Sequence, residues 1–506
     1  MKKSTWFEHL TPFLFAIFPI LSLALENIEF IKFSAVLRSL FYSIFVALIF
    51  YILLTLILKD YRKSGILAGL LVLILLTYGN IYLFLEERIG EPFDHRYLLG
   101  ILAVLYILVG SFMIFGVKNA KDLNMAIFFG GLAMVLYLLI SIGNYEYKVY
   151  RSGVLSEGSS DLITSSLADE NTTSLPNIYL ILLDGHTRSD VLRDNYGYDN
   201  SEFGNQLEEL GFWVAKCSHS NYPATQLSLA ALFEMDYPHH VYQDYDNLVF
   251  PPLNNTAVFQ ILSNYNYSTV TFNNFVFEHF NIKDDIRFTK EDNLFGSINE
   301  FEKELVDTSI LRVLVDMEGV FPDSWVRPFE DNFYLTHYRD TLYALETLPK
   351  LPEMGERLFV FAHLLVTHDP FVFMPDGSFS TSKDFTAADY INSVEFIDTA
   401  LPGIVEEIIR KSEQPPIIIV MGDHGPTVKG TPIEDRMKNL FAIYLQGAEP
   451  EAEAFYNEIS PVNVFRLIFN YMFNTNFELL DEKSYEIWNP SDLGNLSHRV
   501  FPSCDP

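Results

Sequence analysis

Two cysteines in 506 residues, Cys217 and Cys504, exclude a disulfide framework. A single bridge and two free thiols are both compatible with that count. Positive charge is also scarce, and unevenly so. Residues 1–151 carry 13 Lys+Arg against 10 Asp+Glu, whereas the remainder carries 21 Lys+Arg against 55 Asp+Glu. A domain that acidic repels a phosphate backbone, which argues against nucleic acid as a partner. The chain has no internal repeat, which sets aside solenoids and propellers.

Charge is missing altogether from five stretches: His9–Leu25, Ser39–Leu58, Ser64–Leu85, Tyr97–Val117 and Leu123–Tyr145. A spanning helix needs roughly 20 apolar residues, so these predict five transmembrane helices. The first is the shortest and contains Pro12 and Pro19. Lys2 and Lys3 precede the first stretch. Lys59, Arg62 and Lys63 lie between the second and third, and Lys118 and Lys121 between the fourth and fifth. Basic loops favour the cytoplasmic side. The expected topology has the N-terminus inside, five crossings, and everything after Tyr145 outside the cytoplasmic membrane. A cleavable signal peptide does not fit, because further spans follow the first.

What is present after residue 145 is of two kinds. Residues 146–175, with Ser152-Gly153, Gly158-Ser159-Ser160 and Asn171-Thr172-Thr173-Ser174, read as a linker. Residues 176–506 read as one extracytoplasmic domain. In it, apolar runs at Ile178–Leu183, Phe212–Cys217, Ser268–Phe272, Leu358–Leu364, Ile417–Met421 and Phe441–Leu445 suggest strands. Helical spacing occurs at Leu305–Val315, Asp340–Leu348 and Tyr390–Ile409. Strands alternating with helices predict an α/β domain whose mostly parallel sheet is covered by helices on both faces.

Two of these strands end in metal-ligand chemistry. Ile178–Leu183 runs into Asp184-Gly185, and Ile417–Met421 runs into Gly422-Asp423-His424-Gly425. Ligands of open α/β sheets bind beyond the carboxyl ends of the strands. Carboxylate and imidazole together suit Zn²⁺ or Mn²⁺, with Mg²⁺ or Ca²⁺ as further choices. Thr225 follows Asn221-Tyr222-Pro223-Ala224 at the start of an apolar helical run, where free N–H groups favour an anion. Its hydroxyl is a poor nucleophile unless activated, and a metal held by Asp184, Asp423 and His424 would supply that activation. A threonine in this place is otherwise a helix cap. His368 can bind a phosphate oxygen or protonate a leaving alkoxide. His363 falls within a strand and reads as a core histidine. His186 and His219 are candidates for a second metal site, though each also reads as a loop residue. Arg188 and Arg436 are candidates to clamp phosphate, and Asn439 lies just beyond the Asp-His loop.

Four motifs in this order carry a resemblance: Leu182-Leu183-Asp184-Gly185, Asn221 through Ser228, His363 through Phe371, and Gly422-Asp423-His424-Gly425. Together they resemble the sulfatase-like branch of the alkaline phosphatase superfamily over about residues 176–470. The membrane architecture resembles the lipoteichoic acid synthases and related phosphoglycerol or phosphoethanolamine transferases. The resemblance implies a divalent metal held by Asp184, Thr225, Asp423 and His424, with Thr225 as nucleophile and His368 on the substrate side. It implies a transferase moving a phospho-head group from a lipid donor to an envelope glycan or polymer through a phospho-threonine. The lipoteichoic acid synthases carry Glu where this chain has Asp184. True sulfatases need Cys/Ser-x-Pro/Ala-x-Arg, which Cys217-Ser218-His219-Ser220-Asn221 does not fit. A hydrolase on the same metal, and a non-catalytic envelope scaffold, are the alternative readings.

Overall fold

In the computed structural model the described residues are 6–28, 33–89, 94–155, 175–242, 245, 253–274, 284–289, 299–317, 320–322, 333–355, 357–380, 382, 384–445, 455–497, 499–500 and 502–504. Most of the expected linker, residues 156–174, lies outside them. The chain divides into two compact units. A helical unit holds Met1–Tyr147 and Asp292–Phe333, and a sheet unit holds Lys148–Glu291 and Tyr334–Pro506.

The helical unit contains α1 (Thr11–Glu26), α2 (Phe33–Leu58), α3 (Tyr61–Ile89), α4 (His95–Ser111) and α5 (Lys121–Leu155). Four stretches are long and apolar enough to cross a membrane: Phe33–Leu58, Tyr61–Glu86, His95–Gly116 and Lys121–Lys148. Their large apolar side chains face outward, as Phe41 (66% exposed) and Ile57 (72%) do. That is costly in water and favourable in hydrocarbon. The expected fifth span is not confirmed. Helix α1 has 16 residues, about 24 Å at 1.5 Å per residue, against a hydrocarbon core of about 30 Å. Within this unit Thr11 on α1 donates to Asn124 on α5 at 2.7 Å. The expected helical segment at Leu305–Val315 forms two short helices, Glu300–Thr308 and Arg312–Asp316. Phe301 packs beside Ile20 and Val36, and Glu302 pairs with Arg38, so this segment is built into the helical unit.

The main sheet of the sheet unit has seven strands in the order β2-β7-β6-β1-β5-β3-β4, and Ser484–Tyr485 pairs with Arg499–Val500 in a separate two-stranded sheet. The seven are β1 (Ile178–Leu183), β2 (Phe212–Val214), β3 (Ser268–Phe272), β4 (Ile286–Phe288), β5 (Leu358–Leu364), β6 (Ile417–Met421) and β7 (Phe441–Leu445). β1 runs parallel to both β5 and β6, while β7 is antiparallel to β6 and β2. The expected second strand stops at Val214, three residues early: Ala215 N still bonds Phe441 O of β7, but Cys217 N turns to Asn457 O, outside the sheet. Every residue of β1, β5, β6 and β7 is buried, as continuous apolar runs in a sheet covered on both sides require. Alternate β1 residues enter different cores: Ile178, Leu180 and Leu182 one, Tyr179, Ile181 and Leu183 the other. Helix α6 (Thr225–Glu234) and helix α8 (Pro461–Phe473) cover the first face, and α7 (Ala387–Lys411) the second.

Candidate metal centre

Parallel register places the ends of β6, β1 and β5 side by side, with Leu182 opposite both His363 and Met421. The next residues out, Asp184 and the Asp423-His424 pair, therefore leave the sheet at the same edge. The backbone there is tightly constrained. Gly185 has φ +77, and a Cβ at Gly422 would meet His186 O at 2.2 Å. A side chain at Gly425 would meet Asp435 O at 2.3 Å. Gly185 N donates to Asp423 Oδ1 at 3.1 Å, and Thr367 Oγ1 donates to Asp184 O at 2.6 Å.

Asp184, Asp423 and His424 each offer a ligand atom within 4.8 Å of the others, and among the described residues they are the one such group. All three are buried. His424 Nε2 lies 3.3 Å from Asp423 Oδ2 and 3.7 Å from Asp184 Oδ1. Its Nδ1 lies 2.9 Å from Gly425 O. Donation to that carbonyl fixes the tautomer with the Nε2 lone pair directed at the carboxylates. Asp184 Oδ1 and Asp423 Oδ2 have no hydrogen-bond partner. Buried carboxylate oxygens without donors are unfavourable, and a divalent cation among these atoms supplies what they lack. Two carboxylates and one imidazole fit such an ion with a coordination position left over.

Thr225 opens α6, yet it is not the cap. Ala224 holds the N-cap position and no side chain caps the helix. Thr225 Oγ1 instead lies 3.1 Å from His424 Nε2 and 3.4 Å from Asp184 Oδ2. Pro223 lies just before the N-cap, outside the helix. Ser228, one turn further on, donates to Asp423 O at 2.6 Å and ties α6 to the ligand loop. His363 is more than a core histidine: its Nε2 lies 2.9 Å from Asp184 Oδ2. The half-buried His368 has Nδ1 2.6 Å from Asp369 O and its ring centroid 6.4 Å from that of His424.

The family match decides the fold's kinship. The family description Sulfatase covers residues 176–456. The chain belongs to the sulfatase family. Among solved structures, this sulfatase-family chain is similar to the C-terminal periplasmic domain of EcEptC from Escherichia coli, at 12% identity and TM-score 0.41, covering 64% of this chain and 92% of that one. It is also similar to the lipoteichoic acid synthase LtaP from Listeria monocytogenes, at 15% identity and TM-score 0.39, covering 65% and 79%. A third is the lipooligosaccharide phosphoethanolamine transferase A from Neisseria meningitidis, an integral membrane protein, at 13% identity and TM-score 0.37, covering 93% and 96%. No curated protein matches the chain.

Charge in the site is set by opposing effects. Burial pushes the Asp184 carboxyl up, but His368, the His363 hydrogen bond and His424 outweigh it and hold it well below the usual carboxylate range. Burial, then the Arg436 guanidinium, lower the His424 imidazole, which keeps it neutral as a ligand should be. For His368 burial is outweighed by Asp184 and Asp369, and the imidazole rises above its ordinary value.

Other residues considered from sequence lie elsewhere. His186 Nε2 pairs with Asp398 at 2.8 Å, and His219 Nδ1 meets Ser484 Oγ at 2.9 Å; neither joins the cluster. Arg188 is taken up by Asp190, Ser218 O and Ser503 O. Asn439 Nδ2 donates to Gly422 O, so it braces the loop rather than facing a ligand. Thr367 and Ser228, which hold the ligand loops, were missed because a hydroxyl donating to a backbone carbonyl has no sequence signature.

Proposed function

We propose that this sulfatase-family protein is a membrane phosphotransferase that moves a phospho-head group of the phosphoglycerol or phosphoethanolamine type from a lipid to an envelope glycan or polymer. The observation carrying the reading is the approach of Thr225 Oγ1 to His424 Nε2 and Asp184 at 3.1 and 3.4 Å. Asp184, Asp423 and His424, with Thr225, are the residues proposed to hold a divalent ion, Zn²⁺ or Mn²⁺ by donor type. Such an ion supplies positive charge that acidifies the hydroxyl and offsets charge on a phosphoryl group.

The rest is done by side chains. Deprotonated Thr225 Oγ1 attacks phosphorus, the lipid alcohol departs, and a phospho-threonine diester forms. His368, whose ring centroid lies 6.4 Å from that of His424, donates the proton to the leaving oxygen. The same imidazole then takes the proton of the acceptor hydroxyl as that oxygen attacks phosphorus, and the Thr225 Oγ1–P bond breaks to return the deprotonated Thr225 hydroxyl. Water in that role would make the protein a phosphodiesterase.

Three proposed divisions go with this reading: membrane residues 1–145, tether 146–175 and catalytic domain 176–506. A tether to the bilayer keeps a lipid-processing site at high effective concentration of its donor. We place the catalytic domain outside the cytoplasmic membrane with the N-terminus inside. The Cys217–Cys504 disulfide supports that side, since such bonds persist in oxidising compartments.

The test is mass spectrometry of the purified full chain after incubation with mixed membrane lipids and Zn²⁺ or Mn²⁺. Wild type should gain a head-group phosphate adduct on Thr225. Thr225→Ala should gain none and lose turnover, with an unchanged circular dichroism spectrum. Full turnover by the variant rules out the covalent route. Absence of bound metal from the wild type instead favours the scaffold reading.

A further inference from the structure

The helical unit contains a cavity of about 360 Å³, and its lining residues all belong to that unit. One face of α2 lines it, with Ser39, Ser43 and Val46 at i, i+4 and i+7. α3 contributes Val72 and Leu76, and the Glu300–Thr308 helix contributes Leu305. The gap exists because that helix is fixed at its two ends to different partners. At its start Asn299 Nδ2 donates to Ala35 O of α2 at 3.1 Å, and Glu302 pairs with Arg38. Beyond its end Ile310 N donates to Leu75 O of α3 at 2.7 Å. A Cβ at Gly79 of α3 would meet Asp307 O at 2.0 Å, so backbone lies against backbone there. The helix bridges α2 and α3, and the side chains beneath it do not fill the space. Packed interiors leave few voids larger than a water molecule; this one has the volume of a small-molecule site. One polar atom in its wall lacks a partner. Ser39 is 4% exposed, and among the described residues its Oγ has no hydrogen-bond partner. A helical serine can bond the carbonyl four residues back, but here that carbonyl, Ala35 O, already accepts from Asn299.

We propose that this cavity seats one acyl chain of a bilayer glycerolipid, with the Ser39 hydroxyl donating to the lipid's ester carbonyl. The inference does not rest on the phosphotransferase reading; it needs only the membrane. Two observations select the occupant. The first is where the mouth lies. Tyr42 and Val46 edge the cavity and are 56% and 39% exposed. Both sit well inside Phe33–Leu58, a helix long and apolar enough to cross a membrane, so the medium at the mouth is hydrocarbon. The second is what the wall offers. Ser43 Oγ and Ser309 Oγ are turned to neighbouring carbonyls, Leu40 O and Val306 O. Glu302, the charged residue of the lining, is neutralised by Arg38, so an ionic ligand finds nothing to pair with. Ordered water needs two to four polar partners, and Ser39 Oγ is one. A hydrocarbon chain with a single acceptor at its head matches this wall: methylenes against apolar side chains, and one carbonyl for one buried hydroxyl. Seated there, the chain completes the packing of the Glu300–Thr308 helix on α2 and α3.

The experiment titrates the delipidated full chain in detergent with a phosphatidylcholine that carries a diazirine midway along one acyl chain. Irradiation and peptide mass spectrometry then give the labelled residues and the saturation curve. Wild type should label saturably, with one lipid per chain, on α2 around Ser43 and on segment 302–311. V46F fills the cavity at its mouth and S43F from within, and each should weaken binding at least about 10-fold, the scale of overpacking a filled space. S39A should weaken it about 2- to 10-fold, the net worth of one hydrogen bond. L56F, on an α2 residue that is 69% exposed and outside the lining, should bind as wild type does. V46F alone carries the test if S43F loses its helical circular dichroism, because Val46 is at the exposed edge. Labelling that never saturates and spreads to the outward face around Leu56 would reduce the lipid to a micelle contact and overturn the site. Wild-type affinity in V46F would overturn it equally. Wild-type affinity in S39A, with V46F weakened, would overturn the role given to the Ser39 hydroxyl.

Discussion

A carboxylate buried to 1% exposure, as Asp184 is, would ordinarily hold its proton. It does not here because three imidazoles stand around it, and His363 is the one in direct hydrogen-bond contact. Sequence alone made Asp184, Asp423, His424 and Thr225 legible, since strand ends and a helix start can be read from apolar runs. It made His363 look like packing, because strand alternation shows that a residue is buried but not that the neighbouring strand ends in an aspartate. Arg188 and Arg436 were equally eligible for the same reason: which arginine faces the site depends on loops that periodicity cannot trace. Buried histidines away from the site have a different consequence. Burial lowers His219 to about 4 and His337 to about 3. A histidine depressed when folded contributes stability that is complete above its unfolded value of about 6.5 and lost as pH falls towards the folded value. We therefore expect urea unfolding of the solubilised chain, followed by near-UV circular dichroism, to weaken steadily from pH 6.5 to 4. His219→Asn should shrink that loss by up to a few kcal/mol. A pH dependence identical to wild type would show that His219 is not one of the groups responsible.

Among the elements, α6 does more than carry Thr225. Ser228 Oγ reaches Asp423 O from one helical turn away, so the helix fixes the nucleophile and one ligand loop in a single step. Ser228→Ala removes the donor and leaves a buried carbonyl unsatisfied, a loss of about 1–3 kcal/mol. Supporting hydrogen bonds of this kind typically matter 10- to 100-fold in metal affinity. Zinc titration against a competing chelator should show roughly that weakening in Ser228→Ala, with Thr225 still in place. An unchanged affinity would mean that the loop's other hydrogen bonds, among them Gly185 N to Asp423 Oδ1, Asn439 Nδ2 to Gly422 O and Gly422 N to Leu440 O, suffice to hold it. β1, β5, β6 and the antiparallel β7 were legible because strands buried on both faces are nearly continuous apolar runs, and these and β3 coincide with the runs read from sequence. β4 was not, since Ile286-Arg287-Phe288 offers three residues and one is charged. The helices at 300–316 were legible as helices, but their partner was not. Nothing in an amphipathic spacing says that Phe301 packs on α1 and α2.

For the whole molecule, charge and redox chemistry point the same way. The acid excess lies after residue 151, the apolar helices before it, and both cysteines in the acidic part. Counting cysteines left a bridge and free thiols equally open; folding brings Cys217, just after β2, to a Cα–Cα distance of 5.3 Å from Cys504 near the C-terminus. The last residues are anchored on both sides, Ser503 O accepting from Arg188 and Ser503 N donating to Glu434. A bridge across 287 residues restricts the unfolded chain far more than the folded one. Removing such a bond typically lowers stability by about 2–5 kcal/mol. Cys504→Ser should reduce the urea midpoint accordingly while retaining zinc, because neither cysteine contacts Asp184, Asp423 or His424. Protein taken directly from membranes should resist maleimide at both positions until a reductant is added. Rapid labelling of both thiols without reductant would contradict the bridge and remove the strongest chemical support for the proposal that the acidic domain lies outside the cytoplasmic membrane.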